Sequence, residues 1–134
     1  MSVKQVIVMR TDLKMRKGKM ISQGAHASMI FLSERIRYFG FQSNDGEFAY
    51  PDLHFTQEEK EWIQGSFVKI CLQVDSEEDL DRIFNQAVDG GLTVHMVVDS
   101  GKTEFNGVPT KTCLAIGPNE AEKIDNVTGD LKLL

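Results

Sequence analysis

Three polar residues of different chemistry recur at helical spacing: Lys19, Gln23 and His26. Steps of four and then three residues, at about 100° per residue, hold them within roughly 60° of one another on a helix surface. A cation, an amide and an imidazole then face the same way. Lys19 falls in the first helical turn, where a cation opposes the helix macrodipole, so helix stability gives no reason for it. A helix N-terminus collects anions, and a lysine there adds a point charge for a phosphate or a developing oxyanion. The same residue also reads as an ordinary exposed helix-start lysine. Gln23 has the chemistry to orient a water or a ribose hydroxyl. His26 has the chemistry to bond a substrate, and reads equally well as a half-buried helical histidine satisfied by the backbone.

A second group lies far along the chain. Asp99 precedes Ser100-Gly101 at the end of an apolar run, and Thr103 and Thr112 flank the loop that follows. Asp99 reads as an Asx-turn residue or as a carboxylate that steers water or holds Lys19. Each threonine alone reads as a turn or strand hydroxyl. Gly18-Lys19 is not a phosphate-binding P-loop, because Leu13 stands where the earlier glycine belongs and Met20 replaces Ser/Thr. There is no Gly-x-Ser-x-Gly elbow and no cysteine with a histidine near it in sequence. Hydrolysis by activated water therefore fits the residues better than covalent catalysis.

Charge sharpens the first group. Six of the first 20 residues are basic (Lys4, Arg10, Lys14, Arg16, Lys17, Lys19) and one, Asp12, is acidic. That segment carries +5, so the rest of the chain carries −10 within a net charge of −5. A basic turn on an acidic body binds a phosphate backbone over a short footprint, or is simply a solvated loop. The 134 residues, 41% apolar and 26% charged, are the size of one soluble domain over 1–134. No apolar run is long enough to span a bilayer and the N-terminus has no signal-peptide core, which makes the cytoplasm the expected location. Cys71 and Cys113 each sit in an apolar run and read as core filler in a reducing compartment. Three dispersed histidines without Cys/His ligand spacing argue against structural zinc.

Elements that could position these residues follow from periodicity. Val3–Met9 is a continuous apolar strand of the kind covered on both faces. A helix begins near Lys17-Gly18, with Ile21, Ala25, Met29, Leu32 and Ile36 as one core stripe and Met20, Gly24, Ala27 and Phe31 as a second row. Gly40 is its expected C′ residue. Residues 41–55 read as a surface connection, with Ser43-Asn44-Asp45-Gly46 a turn and Pro51 a breaker. Thr56-Gln57-Glu58-Glu59 is a capping box that opens a short helix to about Gln64. Phe67–Val74 is a strand. Ser76 caps a third helix whose core stripe is Leu80, Ile83, Phe84 and Ala87, closed by Gly90-Gly91. Leu92–Val98 and Thr112–Ile116 are strands, the latter stopped by Gly117-Pro118. Asn119 caps a last helix to about Ile124, leaving a tail from Val127 to Leu134. The order β-α-α-β-α-β-β-α implies an α/β sandwich, with parallel pairing among the first three strands and an antiparallel fourth. Ligands of such sheets collect beyond the carboxyl ends of the strands, which joins residues 10–26 to residues 99–103.

These residues also carry a resemblance. Arg10-Thr11-Asp12-Leu13-Lys14-Met15, Lys17-Gly18-Lys19, Gln23 and His26-Ala27 resemble the N-terminal signature of the archaeal/eukaryotic-type (type 2) peptidyl-tRNA hydrolases. Asp99-Ser100-Gly101-Lys102-Thr103, Thr112 to Pro118 and the ending from Ile124 to Leu134 are similar to later motifs of that family, in the same order. The chain departs from the pattern at Arg16 (for glycine), Lys102 (for arginine) and Glu104 (for glutamine), in a 105–110 loop one residue longer with its proline displaced, and in the 41–55 connection. The resemblance implies a three-layer sandwich, a four-stranded mixed sheet with helices on both faces, often dimeric. It implies hydrolysis of the ester between a peptide and the terminal ribose of tRNA, with no metal or other cofactor. It implies catalytic roles for Lys19, Gln23, Asp99, Thr103 and Thr112. Substrate contacts are expected at Arg10, Asp12, Lys14, Arg16, Lys17, His26 and Lys102. Two further readings stand beside it: a family member that binds RNA or a protein without turnover, for which the rebuilt 104–110 loop speaks, and a small module binding a phosphorylated metabolite.

Overall fold

The computed structural model describes residues 2–39 and 53–134. The elements run β1 (Val3–Arg10), α1 (Lys17–Phe39), α2 (Gln57–Gln64), β2 (Lys69–Val74), α3 (Glu77–Asp89), β3 (Val94–Asp99), a single 3-10 turn (Phe105–Gly107), β4 (Thr110–Glu120) and α4 (Ala121–Thr128). They form the expected α/β arrangement, one mixed sheet ordered β2-β1-β4-β3. The expected Gly40 helix end, the Ser43–Gly46 turn and the Pro51 breaker lie outside the described residues.

The run Val6–Met9 of β1 is apolar because both its faces are covered. Val6 and Val8 join the core formed with Leu80, Ile83 and Ala87 of α3 and Ile124 of α4. Ile7 and Met9 point the other way and meet Ala27 and Ile30 of α1. Each of the Val, Leu, Ile and Met side chains among them, fully buried, contributes about 1.5–3 kcal/mol of hydrophobic stabilisation. β1 and β2 pair in parallel, as expected of a helical crossover. The parallel pairing expected of β3 does not occur: it runs the same way as β1 and β2 but pairs with neither of them. β4 lies between, antiparallel to both β1 and β3. The short link from β3 to β4 makes that insertion natural, since antiparallel neighbours need no crossover.

Local caps explain two helices. At α2, the Thr56 hydroxyl accepts from the Glu59 amide (3.1 Å) while the Glu59 carboxylate accepts from the Thr56 amide (2.8 Å). Glu59 is buried, and Arg35 of α1 neutralises it with a two-nitrogen contact at 2.7 and 2.8 Å. At α3, Ser76 accepts from the Asp79 amide, and Glu77, Glu78 and Asp79 sit on the positive end of the dipole. Leu80, Ile83 and Ala87 are buried and Phe84 is half-buried, and the helix ends at Gly90.

Four further expectations are corrected. The stripe Ile21, Ala25, Met29 of α1 is not core: Ile21 is 72% and Met29 59% exposed, and Ala25 is exposed. The second row faces the sheet instead, with Ala27 and Phe31 buried. Polar bonds set that rotation. Ser28 donates to Gln5 of β1 (2.6 Å) while Gln5 donates to the Ser28 carbonyl (2.9 Å), and Gln23 bonds β4. β4 is not stopped by Gly117-Pro118 but continues to Glu120, because β1 re-pairs with it through Val3↔Glu120 and Lys4↔Asn119 after a register shift. Gly117 sits at φ +89, where an added Cβ would lie 2.9 Å from the Lys4 carbonyl oxygen. Since Asn119 stays in the strand, α4 starts at Ala121 and runs to Thr128. Cys113 is buried, but Cys71 is exposed, on the uncovered face of β2.

That uncovered face forms a groove of about 980 Å³ whose lining is almost wholly apolar, including Ile21 and Met29 of α1, Ile63 of α2, Phe67, and Cys71. The outer edge of β2 is taken by the chain's own tail, through a Leu72↔Leu133 bridge and a bond from the Leu134 amide to the Cys71 carbonyl.

Candidate functional site

The insertion of β4 between β1 and β3 brings the carboxyl ends of β1 and β3 and the start of β4 to one end of the sheet. The first turn of α1 begins at that end. Lys19, in this turn, places its ammonium 2.8 Å from Asp99 Oδ1 at the end of β3 and 3.4 Å from Thr103 Oγ1. Gln23, one turn on and 7% exposed, donates from Nε2 to the same Asp99 oxygen at 3.3 Å. Its Oε1 accepts from the Thr112 hydroxyl at 2.5 Å. Thr112 belongs to β4 and is 0% exposed. A continuous polar chain therefore runs from the buried strand hydroxyl to the surface ammonium. All five residues expected to be catalytic lie in it.

Asp99 is held on both oxygens. Oδ1 takes Lys19 and Gln23, and Oδ2 accepts from the Gly101 amide at 2.9 Å. These bonds, the Lys19 one first and the Gly101 one second, keep the carboxyl below its ordinary range, outweighing the cost of burial. Asp99 is therefore ionised at neutral pH and is a weak proton acceptor. It still has acceptor capacity on Oδ2 for a water. The turn that supplies this amide requires glycine: Gly101 has φ +79, and a Cβ there would lie 2.2 Å from the Val108 carbonyl oxygen.

The residues expected to contact substrate divide into three sets. Arg10 and Asp12 are joined to each other by two bonds, at 3.0 and 2.7 Å, and Arg10 also donates to the Lys111 carbonyl at 2.9 Å. Each partner shifts the other toward the charged form, Arg10 upward and Asp12 downward, chiefly through these bonds. Arg10 is buried and braces β1 against β4. Lys14, Arg16, Lys17 and Lys102 are exposed. Lys14 takes a left-handed backbone (φ 52) that turns the chain from β1 towards α1. His26 is exposed on α1 and outside the polar chain. One neighbour was not singled out from the residue pattern. The ring of Phe105, in the 3-10 turn, lies with its centroid 5.9 Å from the Lys19 ammonium. An aromatic in a polar loop was the available signal.

A helix N-terminus, a lysine and an ionised carboxylate gathered beyond the strand ends place this small α/β fold among those that hold anionic ligands there. Residues 3–134 match the family described as "Peptidyl-tRNA hydrolase PTH2". The chain belongs to that family. Among its relatives named "Peptidyl-tRNA hydrolase", the one from Methanothermobacter thermautotrophicus is 37% identical over 98% of this chain and 100% of its own. The one from Methanocaldococcus jannaschii is 38% identical over 98% and 100%, and the one from Methanopyrus kandleri 39% over 98% and 97%. A solved structure of a protein of unknown function from Agrobacterium tumefaciens superposes with a TM-score of 0.57 at 12% identity, covering 100% of this chain and 98% of the other, and shares the fold.

Proposed function

We propose that residues 1–134 act as one catalytic domain in the cytoplasm, freeing tRNA and peptide from peptidyl-tRNA by direct attack of water on the ester. The observation that carries this reading is the meeting of Lys19, Asp99 and Gln23 at 2.8 and 3.3 Å, on a family match that spans the chain. Asp99 Oδ2 and a threonine hydroxyl orient the water. Lys19 stabilises the oxyanion as the carbonyl becomes tetrahedral, or the neighbouring phosphate. Electrostatic stabilisation of this kind does not require a metal. Thr112 lies too deep to touch substrate, and holds Gln23. The exposed cations of the 14–17 turn and Lys102 guide the tRNA backbone.

The groove between α1 and α2 supports a homodimer. A single copy leaves Ile21, Met29, Ile63 and Phe67 exposed around it. A contiguous apolar patch of this kind is uncommon on a lone chain. Lys19, Gln23, Asp99, Thr103 and Thr112 do not line it, and of the cations assigned to the tRNA backbone Lys17 borders it.

The test is release of peptide from N-blocked aminoacyl-tRNA by wild type, Lys19→Ala and Asp99→Ala, with chelator present. Wild-type turnover that persists in chelator and falls in both variants is expected. A wild type that binds tRNA without hydrolysis would favour an RNA-binding member of the family. Equal turnover by all three would overturn the site assignment, and loss of turnover in chelator the direct attack by water.

A further inference from the structure

We propose that Phe105 is a positioning residue for Lys19, closing the outer side of the Lys19–Asp99 pair and keeping the ammonium on the carboxylate. The inference rests on the reading of Lys19 as the charge-stabilising group. Three side chains from the end of β3 and the loop after it converge on a single ammonium: Asp99 at 2.8 Å, Thr103 at 3.4 Å and the Phe105 ring at 5.9 Å from its centroid. Two of these are oxygen acceptors that water can replace. The ring is not, and its face attracts the cation electrostatically. Phe105 also packs against the core cluster beneath α1, which fixes its position from below.

The backbone shows that this placement is imposed. Phe105 has φ 62 and Asn106 φ 53, consecutive left-handed residues without glycine. For a bulky side chain that conformation is an outlier, kept only where its surroundings enforce it. Here the Gly107 amide donates to the Gly101 carbonyl (2.8 Å) and the Val108 amide to the Phe105 carbonyl (2.9 Å), closing the loop on itself. The loop thus sets an aromatic wall beside the lysine.

The substitutions Phe105→Leu and Phe105→Tyr separate the ring from mere packing. Leucine keeps an apolar side chain on the same left-handed backbone but removes the π face; tyrosine keeps the face. On peptidyl-tRNA, Phe105→Leu is expected to lower kcat about two- to fivefold at unchanged KM, the range of a partly solvated cation–π contact. Phe105→Tyr is expected to restore it. In wild type, the Lys19 ε-methylene protons are expected to be shifted upfield by the ring current, a shift absent in Phe105→Leu. Wild-type kcat in Phe105→Leu, a loss confined to KM, equal loss in the tyrosine variant, or no ring-current shift in wild type would each overturn the proposal. If Lys19→Ala itself retains full turnover, the role assigned to Lys19 fails and takes this inference with it, whereas a dead Lys19→Ala beside a wild-type-like Phe105→Leu refutes the inference alone.

Discussion

Replacing Thr112 by valine removes one hydroxyl and almost no volume. That hydroxyl donates to Gln23 Oε1 at 2.5 Å, in a place with no solvent access. A hydrogen bond of this type contributes about 0.5–1.5 kcal/mol net, but an acceptor left buried and unpaired costs about 1–3 kcal/mol. If Gln23 stays in place, the variant loses that stability, and for a chain of 134 residues Tm falls by roughly 3–12 °C. If Gln23 instead turns to find water, stability is largely kept. The amide then leaves Asp99, and kcat falls about fivefold for each kcal/mol of positioning lost. Calorimetry and steady-state hydrolysis on the same preparation therefore read complementary parts of one effect. Thr112→Ser, which keeps the hydroxyl, is expected to lie near wild type in Tm and kcat alike. A Thr112→Val protein with unchanged Tm and unchanged kcat would refute the claim that this hydroxyl supports the site through Gln23.

Four other outcomes are expected. Asp99 has a lowered folded pKa, so its stabilising contribution is fully present above the ordinary value of 3.8 and is lost as pH falls through the lower folded value. The stability difference between wild type and Asp99→Asn should be flat from neutral pH to about pH 5 and shrink below 3.8 in acid titrations followed by circular dichroism; a difference that shrinks near pH 6 would contradict it. Gly101→Ala should destabilise more than Gly107→Ala in urea melts, because both positions have positive φ but only Gly101 meets a backbone atom, at 2.2 Å; the left-handed conformation alone costs about 1 kcal/mol or more. Each removal of Lys14, Arg16, Lys17 or Lys102 should lower the slope of log Kd for tRNA against log salt by about 0.7–0.9, with a flat response in wild type counting against the patch. Ile21→Glu should yield a monomer in light scattering while retaining hydrolysis; a variant still dimeric would place the interface elsewhere.

The site was more legible in the residue pattern than parts of the fold that carries it. Lys19 stands out because a cation at a helix start conflicts with its local setting, whereas Asp99 reads equally as an Asx-turn residue and takes its catalytic role from the family resemblance. The caps at Thr56 and Ser76 were legible because the bonds involved span three residues. The rotation of α1 was not. Its inward face holds Gln23 and Ser28, whose partners Thr112 and Gln5 are 89 and 23 residues distant, while its most apolar stripe lines the outer groove. Periodicity finds apolar stripes without saying whether the chain itself covers them. The extent of β4 depended on β1, more than a hundred residues upstream. Sequence places Arg10 and Asp12 facing a ligand, since the bonds between these two near neighbours leave no mark in composition.

The sheet order β2-β1-β4-β3 also bears on when the site comes into being during synthesis. Lys19 leaves the ribosome some eighty residues before Asp99 and Thr103. Until Thr110–Glu120 has emerged, β1 and β3 have no ladder between them among the described residues, and α1, packed on Val97 of β3, is what links the two halves. Closing a contact so distant in sequence is entropically slow. A nascent chain therefore exposes its cationic arm before Lys19 and Asp99 can meet, and holds them together only once β4 slides into the middle of the sheet.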